Sequence, residues 1–346
     1  MQRKNKIKIK IVSIFPRNSA LWNYCTFLSK NLSKNKRFNI EFIDLTNTYQ
    51  GNIKRAINLM KGIDIKPSDV LILGSPLLAS TFKKSKAELK IVIAYDLYPI
   101  TMGTGVSPLI KILVKNTYKN MKYADIIVPI SEFCKNEIIK IYGLKKKLHV
   151  IHGGIDHNIF KRIKKNKKVL RKSLNFPDKT LLLHIGRDDY RKNFRFVLNM
   201  LKKLKNKVLI KVGNISRSDV SYIRLNKLEG KIINIKNIED KKLNIIYNAS
   251  DILLFPSFYE GLGMPPIEAM ACGLPTIVAK NTGLREVGIA ESFEKLDLNK
   301  WQEKIEKILK NEKFRNKMIQ KGLKQSKNFD WVKYAEKIGK IILHNV

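Results

Sequence analysis

The feature that most limits this chain is a rhythm. Short β-rich apolar runs, each ending in Gly, Ser, Asp or a polar residue, alternate with amphipathic stretches of helical length. "KIKIVSIFP", "NIEFIDL", "DVLILGS", "KIVIAYD", "DIIVPIS" and "LHVIHGG" follow one another in this way. After the charged stretch "FKRIKKNKKVLRKSLNFPDK" the rhythm restarts with "TLLLHIG", "KVLIKVG", "KIINIKN", "DILLFPS" and "PTIVAK". Strands separated by helices pair in parallel and bury both faces, which calls for helices on either side of each sheet. The expected fold class is α/β, with two Rossmann-like domains facing across a cleft. We place the boundaries at 1–162 for the first domain and 163–328 for the second. Residues 329–346, in the all-helical tail, are expected to pack back on the first domain. At 346 residues the chain has the length for two cores.

Ligands of such sheets bind at the carboxyl ends of the strands, so the loops that follow the apolar runs carry the functional signal. In "LLLHIGRDDYRKNF", Gly186 and Arg187 follow a strand, and Lys192 and Asn193 stand at the start of a helix. A helix N-terminus offers unpaired N–H groups and the positive end of a dipole, and two cations beside it suit a diphosphate. Neither GxGxxG nor a Walker-type GKS/T occurs there. The alternative is a basic loop on a lysine-rich protein.

A second signal is "FYEGLGMPPIEAMACG". Pro265 and Pro266 suit only the first turn of a helix, so Glu260 and Glu268 flank a strand-to-helix junction. Gly261 and Gly263 leave backbone uncovered, and the N–H groups of Leu262, Gly263 and Met264 can approach a phosphate. Glu268 is expected in the first helical turn, where the dipole favours an acid; as a ligand group its carboxylate accepts two hydroxyls, as on a ribose or sugar diol. Residue chemistry alone reaches a nucleotide or sugar-phosphate site.

The stated charge of +39 raises nucleic acid or an anionic membrane as partners. The basic excess runs through both halves, and no recognition motif or interleaved aromatic patch accompanies it, so nucleic acid is not expected. No run approaches the length of a membrane span, and the opening "MQRKNKIKIK" lacks the core of a signal peptide, giving a cytoplasmic expectation. The stretch "SPLIKILVKNTYKNMKY", residues 107–123, mixes aliphatics and lysines near helical spacing. It reads as an ordinary helix packed on the sheet, or as one lying on an anionic membrane surface, possible peripheral contact with which would reach a lipid-linked acceptor. Cys25, Cys134 and Cys272 are far apart and lack metal-ligand or disulfide spacing, and Cys272 reads as a small helix-face residue. His152 and His184 read as structural residues of strands.

"LLFPSFYEGLGMPPIEAMACGLPTIVAKNTGLREV", with "HIGRDDYRKN", "VIHGGIDHNIF", "VPISEFCKNEI" and "NFDWVKYAEKI", resembles the retaining glycosyltransferases of family 4, which have the GT-B fold. The likeness runs from about residue 90 to residue 335 and centres on the Glu-x7-Glu motif. It implies a nucleotide-diphosphate sugar donor and a glycan, lipid-linked or other hydroxyl acceptor. It also implies that Arg187 and Lys192 hold the diphosphate, that Glu268 binds the ribose, and that Glu260 meets the transferred sugar. The amides around Gly263 and Met264 would add phosphate contacts, and Asn237 and Ile238 would bracket the base. No metal or other cofactor is expected, and Asp188 and Asp189 read as loop acids. Two departures concern the first domain: "PRNSALWNY" lacks the glycine pair of many relatives, and Tyr95-Asp96 replaces a His-Asp pair. Asp96 then either orients a hydroxyl or caps its own turn. A catalytically silent sugar-nucleotide or glycan binder of the same fold is the alternative function, and a charge-driven nucleic-acid or membrane-surface binder a more distant one.

Overall fold

The computed structural model describes residues 6–17, 19–46, 57–58, 61–101, 108–145, 147–280, 282–288, 291–293 and 296–346. The chain divides into two units. Unit 1 is Met1–Gly154 with Asp330–Val346, and unit 2 is Ile155–Phe329.

Unit 1 holds a parallel sheet of β1 (Ile7–Ser13), β2 (Phe38–Asp44), β3 (Val70–Leu73), β4 (Leu89–Ala94) and β5 (Ile126–Pro129), in the order β2-β1-β3-β4-β5. The strands read as unbroken apolar runs because helices cover both faces; all four residues of central β3, and of β5 at the edge, are buried. Helix ends carry local signals. Ser131 accepts from the Cys134 amide at 3.1 Å to open Glu132–Tyr142, and Gly143 closes that helix at φ 67°. The terminal helix Trp331–Asn345 lies against Ala20–Leu32, its Trp331 ring stacked on Phe27 at 5.3 Å and meeting Tyr24 edge-on at 4.9 Å.

"LHVIHGG" does not become a sixth strand. His149 and Ile151 donate their amides to the carbonyls of Ile127 and Pro129, but the segment makes only an isolated bridge, Leu148 to Ile127. His152 therefore lies beyond that bridge and not in a strand.

Unit 2 holds β6 (Thr180–Ile185), β7 (Lys207–Val212), β8 (Ile232–Ile235), β9 (Ile252–Phe255), β10 (Thr276–Ala279) and β11 (Glu291–Phe293), parallel and in the order β11-β10-β9-β6-β7-β8. Chain direction across the sheet reverses between β6 and β9. Crevices in open parallel sheets lie at such a switch point. The charged stretch that follows Phe160 is built onto unit 2. Asn244 and Asn248 accept the amides of Lys161 and Ile163 at 3.2 and 2.8 Å, and buried Arg171 pairs with Asp251 at 2.6 Å. Asp251 also takes the Leu181 amide at 2.8 Å, so this ion pair ties the start of β6 to that of β9.

Candidate functional site

The loops after β6 and β9 meet at the switch point. Phe258 donates its amide to the Arg191 carbonyl at 2.7 Å, and Asn193 reaches the Pro256 carbonyl at 3.3 Å. The β6 loop is held from within by Asp189, which accepts the Arg191 amide at 2.9 Å and pairs with its guanidinium at 2.7 Å. Burial alone would raise the Asp189 carboxyl, but the bonds and charge of Arg191 keep it below its ordinary value. Asn193 takes a left-handed φ of 48°, which turns the chain from the short 3-10 turn Tyr190–Lys192 into the helix Phe194–Lys203. Asn193 is the N-cap of that helix, with Lys192 just before it.

Crossing the two loops, Lys192 Nζ donates to Glu260 Oε1 at 2.5 Å, with both side chains largely buried. The ammonium also stands 5.2 Å from the Phe255 ring. Glu260 is fixed through its backbone as well. Thr282 Oγ1 accepts its amide at 2.9 Å, and Gly283 donates to its carbonyl at 2.9 Å. A Cβ on Gly283 would stand 2.0 Å from the Gly261 carbonyl oxygen, so only glycine fits there.

After Gly261 and Leu262, Gly263 turns left-handed at φ 99° and opens the helix Met264–Ala271 with no side chain capping it. The proline pair follows Met264, so Glu268 is the fifth residue of the helix. This corrects its expected place in the first turn, and helix-dipole stabilisation does not account for it. Glu268 instead accepts the Tyr247 hydroxyl at 2.7 Å. Burial pushes its carboxyl up to about 7, against the opposing pull of that bond. Cys272, buried near the helix end, donates to Asn244 at 3.0 Å.

Arg187 is exposed and lines a cavity of about 420 Å³ with Asp188, Tyr190, Phe194, Asn214 and Asp219. Tyr190, 65% exposed, stacks on Phe258 at 5.1 Å. The structure thus brings Lys192 to Glu260 beside Gly186, at the head of the Gly261–Met264 turn, while Arg187 lines a cavity whose walls include neither Lys192 nor Glu260. Asn237, left-handed at φ 49°, and Ile238 follow β8, two strands from β6. Asp96 belongs to unit 1, where it accepts the Tyr98 amide at 3.4 Å across its own turn. Its neighbour Tyr95 is buried among Phe15 and Tyr24 and donates to the Leu21 carbonyl at 3.4 Å.

Lys211 gains a meaning that the sequence did not reveal, and His184 stands where the sequence placed it, as a structural residue of a strand. Lys211 in β7 is 1% exposed, yet its ammonium donates to the Gly186 carbonyl at 2.6 Å and to the Val212 carbonyl at 3.0 Å. Burial and the nearby Lys192 charge draw its pKa down to about 8, against Asp188 and Asp219. The signal was a lysine inside "KVLIKVG", a central-strand run that otherwise reads apolar. His184, fully buried in β6, stacks on Phe194 at 5.3 Å, with Nδ1 3.1 Å from the Leu254 carbonyl. Burial and the Lys211 charge lower its pKa to about 3, so the ring is neutral and Nδ1 donates. Positive charge therefore gathers at the end of β6 from Lys192 in the crevice and Lys211 beneath it. Among the described residues no group of three or more His, Cys, Asp or Glu side chains is set to hold a metal.

Residues 165–325, all within unit 2, match the family model described as glycosyl transferases group 1. Among curated proteins, the chain is 24% identical over 235 residues to O-antigen chain mannosyltransferase B of Escherichia coli, covering 64% of this chain and 61% of that protein. It is 26% identical over 238 residues to mannosylfructose-phosphate synthase of Agrobacterium fabrum, covering 62% and 52%. The matched region thus spans between half and two thirds of those relatives. Among solved structures, sucrose-phosphate synthase from Thermosynechococcus elongatus superposes with a TM-score of 0.81 at 17% identity, over 97% of this chain and 98% of that one. Anabaena HepE in complex with UDP-glucose gives 0.76 at 15%, over 98% and 100%. The fold is α/β with two parallel sheets, as in GT-B structures. The family model and the glycosyltransferase relatives together support a GT-B glycosyltransferase.

Proposed function

We propose that this chain is a glycosyltransferase that moves a hexose from a nucleotide-diphosphate sugar to a glycan, lipid-linked or other hydroxyl acceptor, with retention at the anomeric carbon and without a metal. The observation that carries the reading is the Lys192–Glu260 pair at the β6/β9 switch point, beside a helix start left uncapped by Gly263. Lys192 and Arg187 hold the diphosphate, and the Gly263 and Met264 amides add to the charge stabilisation. As the sugar–oxygen bond breaks, negative charge grows on the leaving phosphate. Fixed cations and aimed N–H groups lower that cost in place of a divalent ion. Glu260, held by Lys192 and the Thr282–Gly283 loop, orients the sugar hydroxyls. Glu268 accepts the ribose hydroxyls through the oxygen that Tyr247 leaves open. Asn237 and Ile238 flank the base. The acceptor oxygen attacks on the face the nucleotide leaves, and the departing phosphate takes its proton.

HepE was solved with UDP-glucose, and one curated relative is named a mannosyltransferase; both support a hexosyl donor. The test is release of nucleoside diphosphate from a panel of UDP-, GDP- and ADP-hexoses, with and without EDTA. Lys192→Ala and Glu260→Gln are expected to cut turnover by about 10²- to 10³-fold, the usual cost of one such group. Undiminished turnover in both variants refutes the assignment, and an absolute need for Mn²⁺ refutes the metal-free route. Binding without turnover on every acceptor supports the silent-binder reading, which the turn-capping bond of Asp96 favours.

A further inference from the structure

The helix Pro108–Lys119 turns Val114, Thr117 and Tyr118 into the core of unit 1, and Met121 continues that face in the 3-10 turn Asn120–Tyr123. The other side is not what a solvated face requires. Leu109 is 66% exposed and Ile112 57%, and Tyr123 follows at 40%; Ile110, in the first turn on the side of Val114 and Thr117, is 46% exposed. These are four of the ten large hydrophobic side chains exposed among the described residues, gathered in fifteen positions. Leu109, Ile112, Asn116 and Lys119 follow a spacing of three, four and three residues, which places them on one side, opposite the buried set. Ser107 of the stretch singled out by sequence lies outside the described residues.

Lysine is interleaved with this apolar side. Lys115, Lys119 and Lys122 are exposed, and residues 108–123 contain no acid. The Lys122 ammonium lies 5.1 Å from the Tyr123 ring centre and that of Lys83 lies 5.3 Å from it. Asn120 donates to Ser80 Oγ at 2.8 Å, binding this end of the helix to the element that carries Lys83. Aliphatics in the middle of a face, lysines whose stems cover apolar surface while their heads reach outward, and a tyrosine at the edge form the arrangement of an interfacial helix. A protein interface differs, because its core is depleted of lysine.

We infer that the outward side of Pro108–Lys119, with Tyr123 and Lys83, docks on an anionic lipid bilayer. The aliphatic side chains enter the headgroup boundary and the lysines meet the lipid phosphates. The net charge of +39 attracts the whole chain to the same surface. No described helix is long and apolar enough to cross a membrane, so the attachment is peripheral. The inference goes beyond the transfer reaction and does not depend on it.

The test is co-sedimentation of the full chain with phosphatidylcholine vesicles, alone or containing about 30% phosphatidylglycerol, at physiological salt. Binding is expected on the mixed vesicles. Leu109→Ser with Ile112→Ser should weaken it by about tenfold or more, with the thermal midpoint little changed because both side chains are more than half exposed. Lys115→Gln with Lys119→Gln should weaken it by about tenfold. Lys172→Gln with Lys313→Gln, two exposed lysines of unit 2, should leave it unchanged. Three results overturn the inference: no binding to anionic vesicles, an equal loss in the unit 2 pair, or a change of oligomeric state in the apolar variant without vesicles, which would make this face a protein interface. None of these measurements reads turnover, so failure of the proposed reaction would leave the result standing.

Discussion

Lys211 allows a strict test of the electrostatics beneath the loop that follows β6. Its ammonium is buried under Gly186, and its pKa is drawn from 10.5 to about 8, chiefly by burial. The folded chain therefore gives up this proton about two and a half pH units before the unfolded chain does. Between those values the unfolded state holds more protons, so stability rises with pH through the window from about 8 to 10.5. At about 1.4 kcal/mol per unit, the full window is worth about 3 kcal/mol. Lys211→Met keeps the length of the side chain and removes the titration. Urea unfolding at several pH values from 7 to 10.5, with both proteins measured in parallel, isolates the effect, because the many exposed lysines cancel in the difference. The wild type is expected to gain about 3 kcal/mol on the variant across the window. Parallel stability curves would refute the reasoning and show that the ammonium is not paying a desolvation cost. The same variant frees the Gly186 carbonyl, and nucleoside diphosphate is expected to bind about tenfold more weakly for loss of the charged hydrogen bond that seats the loop.

Burial raises Glu268 to about 7, so the folded chain keeps that proton well above the ordinary 4.5; the stabilisation is present below 4.5 and lost as pH rises through about 7. Glu268→Gln, which stays neutral, should therefore gain on the wild type by about 3 kcal/mol between pH 4.5 and 8, read by urea unfolding. In calorimetry, wild-type affinity for nucleoside diphosphate should fall as pH drops from 8 to 6, and the Gln variant should show a flat and weaker profile. Gly283→Ala drives a methyl against the Gly261 carbonyl and should cost about 1–3 kcal/mol and more than tenfold in turnover. Gly230→Ala, where nothing lies within 4 Å, should change neither.

The crevice was legible in sequence because its makers are local. A strand that ends in Gly186, and the glycines and prolines around Glu260, announce where backbone turns and where a helix begins. Errors arose where pairing or packing decides. Glu268 was placed one residue too near the helix start because the helix takes Met264 before its prolines. "LHVIHGG" has the composition of a strand but finds β5 at only one bridge. The three residues of β11 were too few to register as a period. Lys211 is buried because β7 lies between β6 and β8, a neighbour relation that no local window contains. The helix Pro108–Lys119 was ambiguous for a related reason: aliphatics and lysines in alternation suit a packed face and an exposed one alike, and only the placement of Val114 and Tyr118 decides which aliphatics remain outside.

Because Trp331 and Tyr334 complete the aromatic packing around Tyr24 and Phe27, unit 1 needs material encoded at both ends of unit 2. During translation those early rings stand uncovered while the ribosome adds the 175 residues from Ile155 to Phe329, a delay on the order of ten to thirty seconds at ordinary elongation rates. The later-born half is thus the first that can close on its own, and the nascent amino-terminal half waits, with a sticky seam, for the last helix to emerge.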